Sequence, residues 1–165
     1  MPSDQQTNNP QLELSSMTWE QFYEKCKPED LIIRYWNVNG ISDSLSKKRI
    51  TLKEMNITFG KYRHKIYGEC ECGILYCYEW LNYLNQVSNI NKPLPPQSAK
   101  QLSFILYAKY FYFYLSDLKL ILEGILEGKY GKFYGSVDAQ LIMSAFKEYA
   151  DKRKQTEYEM KFKNN

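Results

Sequence analysis

A predominantly α domain is the fold class this sequence predicts, and three observations carry the prediction. Apolar residues recur at helical spacing, in Leu118, Ile121, Leu122, Ile125 and Leu126 and again in Leu141, Ile142, Ala145, Phe146 and Tyr149. Cap signatures stand ahead of periodic stretches: Thr18-Trp19-Glu20-Gln21 and Ser98-Ala99-Lys100-Gln101 have capping-box spacing. Breakers fall between the periodic stretches, above all the three prolines at 93, 95 and 96. The expected architecture is all-α or predominantly α, with an irregular N-terminal half and a C-terminal three-helix unit over about residues 98–158.

Residues 1–15 are polar and rich in Asn and Gln, too poor in apolar groups to offset the entropy of ordering, and read as a flexible tail. A single helical domain is expected over 16–158, with 159–165 a second tail. Thr18 starts a short helix that ends near Cys26, before Pro28. Pro28-Glu29-Asp30 places a proline and two acids in a first turn, leading into Leu31 to Trp36, which reads as helix or strand until Asn39-Gly40 ends it. Thr51-Leu52-Lys53-Glu54 is a further capped start, whereas the β-branched residues and Gly60 within 57–67 admit a short hairpin.

From Ile74 a helical pattern runs to about Gln86, and the Pro-rich stretch near 89–97 is a linker. Ser98 then opens a helix reaching the ring-rich run Tyr107 to Tyr114, Ser116 caps the next, and Ser136 caps the last, with Asp138 in its first turn. The run Tyr107 to Tyr114 is apolar on all sides, so one side is core and the other is open to an interface. The charged stretch Lys152 to Glu157 reads as a helix end projecting into solvent.

A chain of 165 residues can bury a core without disulfides or metal. The four cysteines lack the density of a secreted disulfide scaffold, and no apolar signal segment opens the chain, so a reducing interior is expected. Lys109, Asp117, Lys119 and Glu123 interrupt the most apolar region, which excludes a membrane span there. Net charge is +3, but residues 1–30 hold six acidic and two basic side chains, leaving the remainder basic.

The segment most suggestive of contact is Gly128 to Asp138, a Gly/Tyr-rich turn between amphipathic helices. Tyr130, Phe133 and Tyr134 are candidate anchors for a partner protein and Lys132 a rim charge; the alternative is that the rings only fasten the turn. Lys47, Lys48, Arg49, Lys61 and Arg63, interleaved with rings, form a candidate nucleic-acid face, weighed against a solvated face beside buried rings. His64, Cys70, Cys72 and Cys77 are the right ligand types for zinc, but the single residue between Cys70 and Cys72 departs from structural-site spacing. No metal or cofactor is assigned. One histidine, no nucleophile elbow, no phosphate loop and no dinucleotide fingerprint argue against an enzyme.

The order Asp117-Leu118-x-Leu120, then Gly128-Lys129-Tyr130-Gly131-x-Phe133-Tyr134-Gly135-Ser136-Val137-Asp138, then Ile142-Met143 and Tyr149 to Arg153 resembles the C-terminal half of small, mostly uncharacterised helical proteins encoded by Bacteroidetes phages and mobile elements. The resemblance covers roughly residues 98–158, and that family's lack of an assigned activity means no catalytic residue carries over. A helix, a Tyr-Gly turn and a terminal helix are also similar to the layout of phage replication accessory proteins that dock on a replicative helicase. The resemblance implies a non-catalytic protein-binding module in the cytoplasm of a bacterial host, in a DNA-replication accessory role. Two alternatives share the same residues: a virion or assembly adaptor that associates with copies of itself, and an inhibitor of a host defence protein.

Overall fold

The computed structural model describes residues 16–30, 38–46, 49–65 and 67–163. Among these residues are eight helices and one two-stranded hairpin. The expected tail over 1–15, the run Leu31 to Trp36, and Lys47 and Lys48 lie outside the described residues.

Helix α1 (Trp19–Lys25) opens on the reciprocal cap its sequence predicts: Thr18 Oγ1 accepts the Gln21 N–H at 3.2 Å, and Gln21 Oε1 accepts the Thr18 N–H at 3.0 Å. The short helices α2 (Pro28–Asp30) and α3 (Ile41–Leu45) follow. Thr51 caps α4 (Leu52–Phe59), taking the Glu54 N–H at 3.1 Å. The hairpin falls later than 57–67: β1 (Lys61–His64) and β2 (Gly68–Glu71) pair antiparallel, with Tyr62 opposite Cys70 and Arg63 opposite Glu69. Burial of Leu52 and Met55 behind the Thr51 cap holds residues 57–59 in helix, and Gly60 at φ 72° then lets the chain turn.

Helix α5 (Cys72–Ser88) is the centre of the molecule, buried almost continuously from Cys72 to Tyr78 and again at Trp80, Leu81 and Leu84. It starts two residues before Ile74, against α4, at a separation that excludes a side chain: a Cβ on Gly73 would stand 2.4 Å from the Leu52 carbonyl oxygen. Asn56 fastens that junction. Its Oδ1 accepts the Gly73 N–H at 2.6 Å, and its Nδ2 donates to Glu71 Oε2 at 2.7 Å and to the Tyr107 hydroxyl.

The linker is held rather than loose, because Asn85 donates to the Leu94 carbonyl and accepts the Leu94 N–H, both at 2.9 Å. Helix α6 (Pro96–Tyr110) begins at Pro96, two residues ahead of the expected Ser98, since a proline in the first turn lacks the N–H that would otherwise need a cap. Helix α7 (Leu115–Leu126) likewise starts before Ser116, with Asp117 Oδ2 accepting the Tyr114 N–H at 2.7 Å. Ser116 is buried and bonds Ser44 Oγ at 2.7 Å.

Helix α8 (Ala139–Lys163) is capped by Asp138 in place of Ser136, through Oδ1 and the Gln140 N–H at 2.8 Å. It continues to Lys163, so residues 159–163 are helical and not the tail the sequence reading expects. The last turns are supported laterally: Gln155 Nε2 donates to Glu159 Oε1 at 3.2 Å, and the rings of Tyr158 and Phe162 pack at 4.4 Å between centroids. One apolar cluster runs from Trp19 and Phe22 through α5 to Phe113, Phe146 and Tyr149, so the linker joins two parts of one core.

Candidate functional site

The residues singled out in the sequence separate in space. Tyr130 turns inward: a Cβ on Gly124 would stand 2.5 Å from Tyr130 Cε2, and burial, with Glu148 adding, raises the phenol pKa above its ordinary value. Phe133 is also half-buried against the core. Both therefore fasten the turn, where the sequence reading gives them a partner. Tyr134 is 88 % exposed and Lys132 is exposed, so two of the four candidate contacts face outward. The cause is the fold-back at Gly128 (φ 76°), which lays the segment over α7 and α8.

Among the described residues of the basic stretch, Arg49 is buried and Lys61 and Arg63 are exposed. The Arg49 pKa is lowered by desolvation against the opposing pull of Asp43 and Asp117. Lys61 pairs across the hairpin with Glu69 at 3.9 Å, and Arg63 stands opposite the same glutamate. The β-register thus sets an acid beside these two cations. The zinc candidates do not converge. Among the described residues no three His, Cys, Asp or Glu side chains are grouped to hold a metal ion. Burial pushes the Cys70 thiol up to about 11 and those of Cys72 and Cys77 to about 12, so all three keep their protons at neutral pH.

What the fold does assemble is a polar knot under an aromatic ridge. Asp117 is 0 % exposed. Its Oδ1 accepts the Tyr149 hydroxyl at 2.5 Å and the Ser44 hydroxyl at 3.2 Å, and its Oδ2 accepts Arg153 Nε at 3.1 Å in addition to the Tyr114 N–H. The four donors satisfy both carboxylate oxygens, which is what makes a buried charge tolerable. Burial first, then Asp117, raises the Tyr149 phenol far above its ordinary range. The Arg153 guanidinium lies 5.3 to 5.5 Å from the ring centroids of Tyr112, Phe113 and Tyr114. The knot ties α3, α7 and α8 to the Phe111–Phe113 turn. Arg153 is therefore inside, not on a solvated helix end as its charged neighbours suggest.

Outside the knot, Tyr112 and Tyr114 line an open groove of about 790 Å³ together with Arg153, Glu157 and Met160 of α8. Tyr112 and Phe111, in the turn that follows α6, and Phe104 and Ile105 on α6 itself are 40 to 46 % exposed. The ring run divides as its composition predicts: Tyr110 and Phe113 face the core, Phe111 and Tyr112 face out. Lys53 Nζ stands 5.7 Å over the Phe111 ring and Lys100 Nζ 5.3 Å over Tyr67, so cations border the ridge; α6 carries Lys100 and Lys109 and no acid. Surfaces of this composition, apolar rings with a polar rim, are suited to contact.

The fold and this surface define a helical domain with an exposed aromatic ridge and a groove. Residues 93–165, which supply most of both, match the model of DUF6633, a family of unknown function. No curated protein and no solved structure matches the chain. No helix among the described residues is long and apolar enough to cross a membrane.

Proposed function

We propose that the chain is a non-catalytic protein-binding module that receives an amphipathic helix of a partner on the α6 ridge, with the partner's flanking residues reaching the groove beside Tyr112. The observation that carries this reading is the exposure of Phe104 and Ile105 on a helix whose buried side is already core, and of Phe111 and Tyr112 in the turn that ends it. Four large side chains left half in water are a cost to the monomer that an interface removes, at roughly 25 cal/mol per Å² of apolar surface covered. The basic border of Lys53, Lys100 and Lys109 favours an acidic rim on the partner. The order of a helix, a Tyr-Gly turn and a terminal helix, similar to the layout of phage replication accessory proteins, supports a role for this binding in DNA replication, as an accessory that docks on a helicase.

Self-association is the second reading, because the same ridge would be covered in a dimer or larger assembly. A photo-crosslinking amino acid in place of Ile105 or Tyr112, with Gln140 as the control position, separates the two in the bacterial host. Docking gives one heterologous adduct from 105 and 112 and none from 140. A product of twice the chain mass alone gives assembly, and equal labelling from all three positions removes the ridge as the site.

A further inference from the structure

On another part of the surface, α1, β1 and α5 enclose a pocket of about 300 Å³, at the lower end of the volume range of small-ligand sites. Three of its walls are rings. Trp19 stacks on Tyr23 with centroids 5.7 Å apart and leans against Tyr62 at 6.0 Å. Glu79 is at its floor, reached from α5, with Oε2 accepting the Tyr23 hydroxyl at 2.8 Å and Oε1 facing His64 Nε2 at 3.3 Å.

His64 is held from two sides: its Nδ1 accepts the Tyr67 N–H at 3.3 Å, and its Nε2 is turned toward Glu79, whose carboxylate it orients. Glu20 and Glu24 of α1 add two more acids to the lining against the single ammonium of Lys27. A pocket lined by three acidic residues and one lysine, on a chain of net charge +3, is weighted opposite in sign to the molecule.

We infer that this pocket binds a guanidinium group. Tyr23 and Tyr62 line the pocket, and an aromatic face attracts a cation; a carboxylate has about four acceptor directions, of which Glu79 uses two. The remaining directions reward a ligand with N–H donors in a plane, which a guanidinium has and a quaternary ammonium lacks. The guanidinium comes either from a free guanidino compound or from an arginine of a bound protein.

The test uses the full chain labelled with 5-fluorotryptophan, whose Trp19 signal is assigned through Trp19→Phe. Titration with ethylguanidinium, with a short arginine-containing peptide and with tetramethylammonium is followed by fluorine NMR. A saturable shift of the Trp19 signal with the Trp80 signal still is the expected result. Saturation by ethylguanidinium marks a free-ligand site, and saturation by the peptide alone marks a partner's arginine. Glu79→Gln should weaken binding by about tenfold or more, the loss of a charge-assisted pair. Should that variant unfold, Glu20→Gln with Glu24→Gln on the exposed rim gives the same test with a smaller loss. No Trp19 shift with either guanidinium probe, tetramethylammonium binding as tightly as they do, or affinity unmoved in the glutamine variants would overturn the inference.

Discussion

Arg153 Nε lies 3.1 Å from Asp117 Oδ2, and neither residue has more than a few per cent of its surface in water although 36 positions separate them in the chain. A buried pair of this kind costs more to break than to replace, because deleting one partner leaves the other charged and without compensation. Asp117→Ala and Arg153→Ala should each lower stability by about 3–5 kcal/mol in urea unfolding. The double variant should cost clearly less than the sum. Additive losses would mean the two side chains act independently.

Two glycines test the packing at the two ends of the core. Gly73→Ala should destabilise by about 1–3 kcal/mol, since the backbone oxygen of Leu52, 2.4 Å from the new Cβ, cannot move aside cheaply. At Gly124 the obstacle is the Tyr130 ring, a side chain that can rotate away, and alanine gains helix propensity there. Gly124→Ala should therefore cost less than Gly73→Ala in the same melts. It should also raise the exposure of Tyr130, read as faster iodination of that phenol. An iodination rate of Tyr130 unchanged by Gly124→Ala would contradict its inward placement.

Thiol burial sets an alkaline limit. Folding pushes the Cys77 and Cys72 thiols from 9.0 up to about 12, and Cys70 up to about 11, in each case mainly by desolvation. Between these values the folded chain holds protons that the unfolded chain has released. The stability they contribute is complete below about pH 9 and declines as pH rises toward 11 to 12. The urea midpoint should fall between about pH 8 and about pH 10.5, and less so in Cys77→Ala. A midpoint that holds or rises would contradict the burial of these groups.

The helical class, the Thr18 and Thr51 caps and the division of the Tyr107–Tyr114 run are legible in the sequence because each depends on neighbours within one or two turns. Helix starts at Pro96, Leu115 and Ala139 are missed by one to three residues, where a proline or a distant side-chain partner outweighs the local serine signal. The Asp117–Arg153 pair is illegible for a stronger reason. Arg153 sits between Lys152 and Lys154 in a run that reads as solvated, and only the tertiary fold turns it toward Asp117. The one local sign is the carboxylate of Asp117 ahead of an apolar stripe, which a cap alone explains. Tyr130 and Phe133 differ from Tyr134 only in which side of the fold-back they occupy, and no spacing rule distinguishes them.

The central claim, that the chain acts through the outer ring ridge of α6, is tested most directly by charging it. Phe104→Glu with Ile105→Glu keeps the fully buried residues of the helix and gives up the 5.7 Å stack of Phe104 on Tyr67, so circular dichroism should stay that of the parent while the melting temperature falls by a few degrees. Crosslinking from position 112 to the partner should then be lost. A doubly charged ridge that still yields the full heterologous adduct would contradict the account.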